Sequence, residues 1–175
     1  MYRDPPGSYQ NFHLGSGQPA DEDFDPSVRE FSVAEIANAR KAVSLVMHDV
    51  VAQLGDGAVA VVVGTKEELH EALTSRGLGW IRHSEVCGWV HGNDGSGTGI
   101  WFPVDVQWPD LVVLIAGVIQ EGIIEGAERW GVAFPICPTH PNHPMDAEVV
   151  EGVACWVCPR KQGDPLPIGS METIS

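Results

Sequence analysis

The sequence predicts an α+β fold: three main helices with a small, mostly antiparallel sheet, followed by a C-terminal module rich in Cys, His and Pro. Three observations carry that reading. Two Ser/Thr-x-x-Glu signatures, Ser32 to Glu35 and Thr65 to Glu68, each precede a run with helical spacing. Such signatures mark helix starts because hydroxyl and carboxylate reciprocally satisfy backbone N–H groups that have no partner within the helix. Short β-branched and aromatic runs stand between glycines, as strands do, and a set of Cys and His residues with paired spacing lies between Cys137 and Cys158.

Taken in order, residues 1 to about 28 combine Pro5, Pro6, Gly7, Gly15, Gly17, Pro19 and Pro26 with the acidic run Asp21-Glu22-Asp23 and show no apolar period. They read as a disordered acidic tail, whose anchors in a binding role would be Tyr9, Phe12 and Phe24. A domain is expected from 31 to 130. Its first helix starts at the Ser32 cap, with Phe31 stapled on Ile36. It buries a face made of Ile36, Val43, Val46, Met47, Val50, Val51 and Leu54, and it stops at Gly55. His48 reads as a boundary residue.

Ala58 to Val63 reads as a strand buried on both faces, and Lys66 to about Arg76 as a second helix ending at Gly77. Two antiparallel strands, Trp80 to Val90 and Gly99 to Val104, flank the turn Gly92-Asn93-Asp94-Gly95-Ser96-Gly97. That loop lacks the Gly-Lys-Ser/Thr ending of a phosphate-binding loop. Trp108-Pro109-Asp110 opens the third helix, the central core element, with Gln120, Glu121, Glu125, Glu128 and Arg129 facing water. Gly117, Gly122 and Gly126 each lower helix propensity by about 1 kcal/mol relative to alanine, so a closely packed neighbour is expected against them.

The composition bounds the function classes. With 43% hydrophobic and 19% charged residues the 175-residue chain has globular values, and a chain of this length buries about 70% of its unfolded surface without a further staple. A formal charge of -14 repels nucleic acid. It supports solubility and suits steering towards a basic protein partner. No leader-like apolar run opens the sequence, and the longest apolar stretch, Leu111 to Ile124, is interrupted by Gln120 and Glu121. A cytoplasmic protein is therefore expected, without membrane partners. In that compartment four cysteines argue for metal rather than disulfides.

The module from 131 to 175 holds Cys137-Pro-Thr-His140-Pro-Asn-His143 and, with fourteen residues between His140 and Cys155, Cys155-Trp-Val-Cys158-Pro. Structural zinc takes four Cys or His ligands tetrahedrally, and a Cys-x2-Cys or Cys-x2-His pair supplies two of them from one tight turn. Cys137 with His140 and Cys155 with Cys158 form the favoured set, leaving an excursion between them that can hold a hairpin. His143 is a fifth candidate. In a regular polyproline helix residues 137, 140 and 143 share a face at intervals of roughly 9 Å, too long for one ion, so at least one turn must break it. The alternative set is Cys137, His140, His143 and Cys158, with Cys155 buried beside Trp156. Residues 135 to 160 resemble zinc-ribbon and treble-clef modules, whose knuckles often carry proline after a cysteine. The resemblance implies a structural zinc and no activity.

Cys87 stands apart in an expected strand, where alternation puts His83 and His91 on its face and leaves a nucleophilic role open. Two functional expectations result. One is a non-enzymatic zinc protein acting through protein contacts, as an adaptor or an immunity- or antitoxin-like protein. The alternative is a small hydrolase or transferase using Cys87 with His83 or His91, or an open zinc position between His140 and His143.

Overall fold

A computed structural model of the protein describes residues 30–75, 86–92, 97–126 and 131–172. The expected acidic tail, the end of the second helix at Gly77, His83, the start of the strand expected from Trp80, the centre of the glycine loop, Glu128 and Arg129 lie outside the described residues. The architecture is α+β, with three helices and two three-stranded antiparallel sheets.

The first helix, α1, runs Val33–Leu54 and carries the expected capping box at Ser32 and Glu35 and the stop at Gly55. Its buried face is narrower in large side chains than its sequence suggests. Ile36, Ala39, Ala42, Val46, Asp49 and Val50 are buried, whereas Val51 is exposed. Phe31 packs edge-on against Phe102, 4.9 Å between ring centroids.

Among the described residues, strand β1, Ala60–Val63, pairs only with β2, Gly88–His91, which in turn pairs with β3, Gly97–Ile100. Among those residues β1 is an edge strand, and its four residues are half-buried rather than covered on both faces. The second helix, α2, spans Lys66–Thr74 behind a capping box at Thr65 and Glu68. Arg40 of α1 ties into this corner, donating to Val63 O and pairing with Glu68 at 2.8 Å.

The third helix, α3, spans Trp108–Ile124 with Pro109 in its first turn. It packs on α1 and touches strands of both sheets. Of the three glycines expected to sit against a neighbour, only Gly122 does, since a Cβ there would stand 2.8 Å from Val90 Cγ1. Gly117 has nothing within 4 Å, and Gly126 meets only the carbonyls of its own helix's last turns. Gln120 does not face water. Its amide donates to Phe134 O at 2.7 Å and Met145 O at 2.6 Å.

The second sheet consists of β4, Asp146–Val150, β5, Val153–Val157, and β6, Leu166–Pro167. The hairpin between β4 and β5 turns at Glu151 and Gly152, both at positive φ. Two such central residues are what a tight hairpin turn matching strand twist requires. Residues on both sides of the boundary expected near 130 join one hydrophobic core. Val46, Val50, Ile115 and Ile119 share it with Phe134, Met145, Trp156 and Ile168. Among the described residues, no helix is long and apolar enough to cross a membrane.

Candidate metal centre

The segment from Phe134 to Met145 is held at both ends before any metal is considered. Gln120 of α3 bonds the carbonyls of Phe134 and Met145, Gln53 of α1 accepts from Ile136 N at 3.0 Å, and Met145 N donates to Pro135 O at 2.8 Å. Between these anchors two successive turns wind the chain, with His140 N donating to Cys137 O and His143 N to His140 O. These turns break the polyproline geometry that would hold residues 137, 140 and 143 apart. A third turn presents Cys158 just beyond β5. Lys161 N donates to Cys158 O at 2.7 Å, with Lys161 itself in the left-handed region.

Together these turns bring one ligand atom each from Cys137, His140, His143 and Cys158 within 4.8 Å of one another. His140 Nδ1 lies 3.7 Å from Cys137 Sγ and 3.4 Å from Cys158 Sγ. A tetrahedral zinc with sulfur at about 2.3 Å and nitrogen at about 2.0 Å holds such atoms about 3.6 Å apart, so both spacings match that edge. The rings of His140 and His143 are stacked, 5.1 Å between centroids.

His143 supplies an independent test of fit. Its Nδ1 lies 2.8 Å from the Pro144 carbonyl. A carbonyl can only accept, so the proton sits on Nδ1 and the lone pair on Nε2. That Nε2 is buried and has no hydrogen-bond partner. Buried polar atoms rarely stay unpaired, and a histidine whose far nitrogen donates to a backbone carbonyl is oriented as metal-ligating histidines are. The donor set fits a metal of borderline softness such as zinc.

Electrostatics around the sulfurs point the same way. At Cys158, burial pushes the thiol up. It is outweighed by the backbone N–H groups of Gln162 and Arg160, the Cys137 side chain and the Arg160 charge, so the net shift is downward, towards thiolate. At Cys155 burial alone acts, and it raises the thiol's pKa.

Cys155 stands outside the group, and the geometry explains why. It lies in the middle of β5, paired with Glu148 and Pro167, while its neighbours Ala154 and Trp156 belong to the core. Three residues along an extended chain span about 10 Å, whereas a knuckle needs the two cysteines in one turn. The described geometry thus gathers the alternative set rather than the favoured one. The Cys-x2-Cys spacing pointed the other way. What could have set Cys155 apart from the other four is the unbroken apolar run Val-Ala-Cys-Trp-Val at residues 153 to 157, which reads as strand through Cys155.

Cys87 and His91 occupy opposite ends of the segment containing β2, and Cys87 is only 1% exposed, with its Sγ 3.7 Å from Ile100 O. Four residues of strand separate their Cα atoms by about 13 Å, so alternation gives them one face without bringing them into contact. His83 lies outside the described residues. No protein-family model, curated protein or solved structure matches this chain.

Proposed function

We propose that the protein carries one structural zinc at Cys137, His140, His143 and Cys158, and that it acts through protein contacts rather than catalysis. The observation that carries the metal is the convergence of four donor atoms that includes the orphaned, buried Nε2 of His143. Four protein ligands complete a tetrahedron and leave no position for a substrate or an activated water, unlike the three-ligand catalytic sites. A cavity of about 300 Å³ flanks the site, lined by Ile136 and Pro138 but by none of the four donor residues.

The contact reading is supported by the charge of -14 and by the exposure of Trp101 and Trp108. Aromatic residues are enriched where proteins bind one another. An adaptor, or an immunity- or antitoxin-like inhibitor, is the kind of acidic binding protein this describes. Two thiolate ligands suit a reducing compartment, and the cytoplasm is our assignment.

Elemental analysis and native mass spectrometry of the purified chain and three variants test the metal. One zinc per chain is expected for the wild type and for Cys155→Ser, and a loss of at least tenfold in zinc affinity for His143→Ala and Cys158→Ser, in line with the effects of disturbing such sites. Retention of zinc by His143→Ala together with its loss from Cys155→Ser would return the site to the other four ligands.

A further inference from the structure

The end of the molecule where α1 and α3 begin carries an apolar surface that the metal centre does not use. The Phe31 and Phe102 rings join the entry of α1 to the segment running from β3 into α3. On that segment and at the first position of α1, Trp101 is 52% exposed, Val104 60%, Trp108 44% and Val33 82%. Strand alternation explains why Trp101 points out while Ile100 and Phe102 are buried, but it does not explain a tryptophan at that outward position. Val104 lies next to Asp105, whose φ is 60°, a conformation tolerated by Asp and avoided by most side chains. Single exposed apolar residues are ordinary, whereas two tryptophans and two valines on adjoining segments form a patch.

On the two segments that carry this patch, residues 30–37 and 101–112, the charged side chains have one sign. Glu30, Glu35, Asp105 and Asp110 lie within it, and no Lys, Arg or His occurs in residues 30–37 or 101–112. The two helix N-termini contribute roughly half a positive charge each, which Glu35 and Asp110 in the first turns offset. Glu30 and Asp105 remain.

Resting on the contact reading above, we propose that this patch docks a basic protein partner, one that presents apolar side chains ringed by Lys or Arg. The charge selects that occupant over others. A second copy would bring the same four acids and another -14 against this surface. Anionic membranes and nucleic acid are repelled for the same reason. The chain's own residues 1–29 hold Asp4, Asp21, Glu22, Asp23 and Asp25 against Arg3 and Arg29, and so do not supply the complement.

The test uses the zinc-loaded full chain, titrated by calorimetry with a synthetic amphipathic helical peptide of Leu and Lys, with its Leu and Glu counterpart, and with phosphatidylserine vesicles. The Lys peptide is expected to bind with affinity that falls as salt rises, and the other two probes not to bind. Trp101→Ser with Trp108→Ser should weaken the Lys peptide at least about tenfold, as loss of central aromatic anchors does. Glu30→Gln with Asp105→Asn should flatten the salt dependence. Val149→Ser with Val153→Ser, on the exposed hairpin, should leave binding unchanged and controls for general loss of apolar surface. Undiminished binding by the tryptophan variant overturns this surface and leaves the contact reading standing. Preference for the vesicles overturns the protein partner, and failure of the wild type to bind the Lys peptide at all overturns both readings.

Discussion

Asp49 is fully buried on α1, and it ties that helix to the C-terminal segment. Its carboxyl oxygens accept from Trp156 Nε1 at 2.8 Å, Gly169 N at 2.7 Å and Met171 N at 2.9 Å, with His48 Nδ1 3.4 Å away. Gly169 sits at φ 90°, and a Cβ there would stand 2.9 Å from Leu45 Cδ2, so the close approach that delivers its N–H to Asp49 requires glycine. Removing the acceptor leaves one buried donor, Trp156 Nε1, and two half-buried ones, Gly169 N and Met171 N, without their partner, at about 1–3 kcal/mol for the buried one and less for the others. Asp49→Ala is therefore expected to lose about 3–5 kcal/mol of stability, and Trp156→Phe, which removes one donor and keeps an aromatic ring, about 1–2 kcal/mol. Urea denaturation of the zinc-loaded protein measures both. A loss below about 1 kcal/mol for Asp49→Ala would show that water replaces these bonds without penalty. In the sequence this residue is an acid between His48 and Val50 with no partner in view, because Trp156 lies 107 positions away.

At the scale of elements, α3 shows how one residue type takes opposite roles on one helix. Gly122 lets Val90 approach the backbone, while Gly117 faces open space. Gly117→Ala should therefore stabilise the protein by up to about 1 kcal/mol, the ordinary helix preference of alanine over glycine. Gly122→Ala should destabilise it instead, and Val90→Ala in the same chain should recover part of the loss, a coupling of at least about 0.5 kcal/mol in a double-mutant cycle. Additive effects of the two substitutions would mean that the helix shifts to make room. The capping boxes at Ser32 and Thr65 were legible because both partners lie within four residues of chain. The placement of β1 at a sheet edge was not, since a half-buried edge strand and a fully buried one can share the same run of valines.

For the whole molecule, the continuous core couples the candidate metal centre to the helices. Cys137 and Cys158 lie in the same cluster as Val46, Ile115 and Ile119, and Gln53 and Gln120 grip the turns that carry the ligands. Chelation is accordingly expected to lower the midpoint of a single unfolding transition rather than to melt residues 131–175 alone with the helices intact. Helical circular dichroism and near-ultraviolet dichroism of the tryptophans, followed through the same melt with and without chelator, check this. Coincident curves support one cooperative unit, and a separate early loss of the near-ultraviolet signal would show two.

The sequence by itself determined what depends on near neighbours: the α+β class, the starts of α1, α2 and α3, the stop at Gly55, and the candidacy of five Cys and His residues for a metal. Tertiary structure alone decided which four of the five converge, that Gln120 grips a loop instead of facing water, and that Asp49 joins α1 to the C-terminal segment. The physical reason is range. Caps, helical periods and turn residues are satisfied within a few positions, so their signals are printed locally. A tetrahedral donor set and a buried carboxyl are satisfied only by atoms that folding brings from far along the chain.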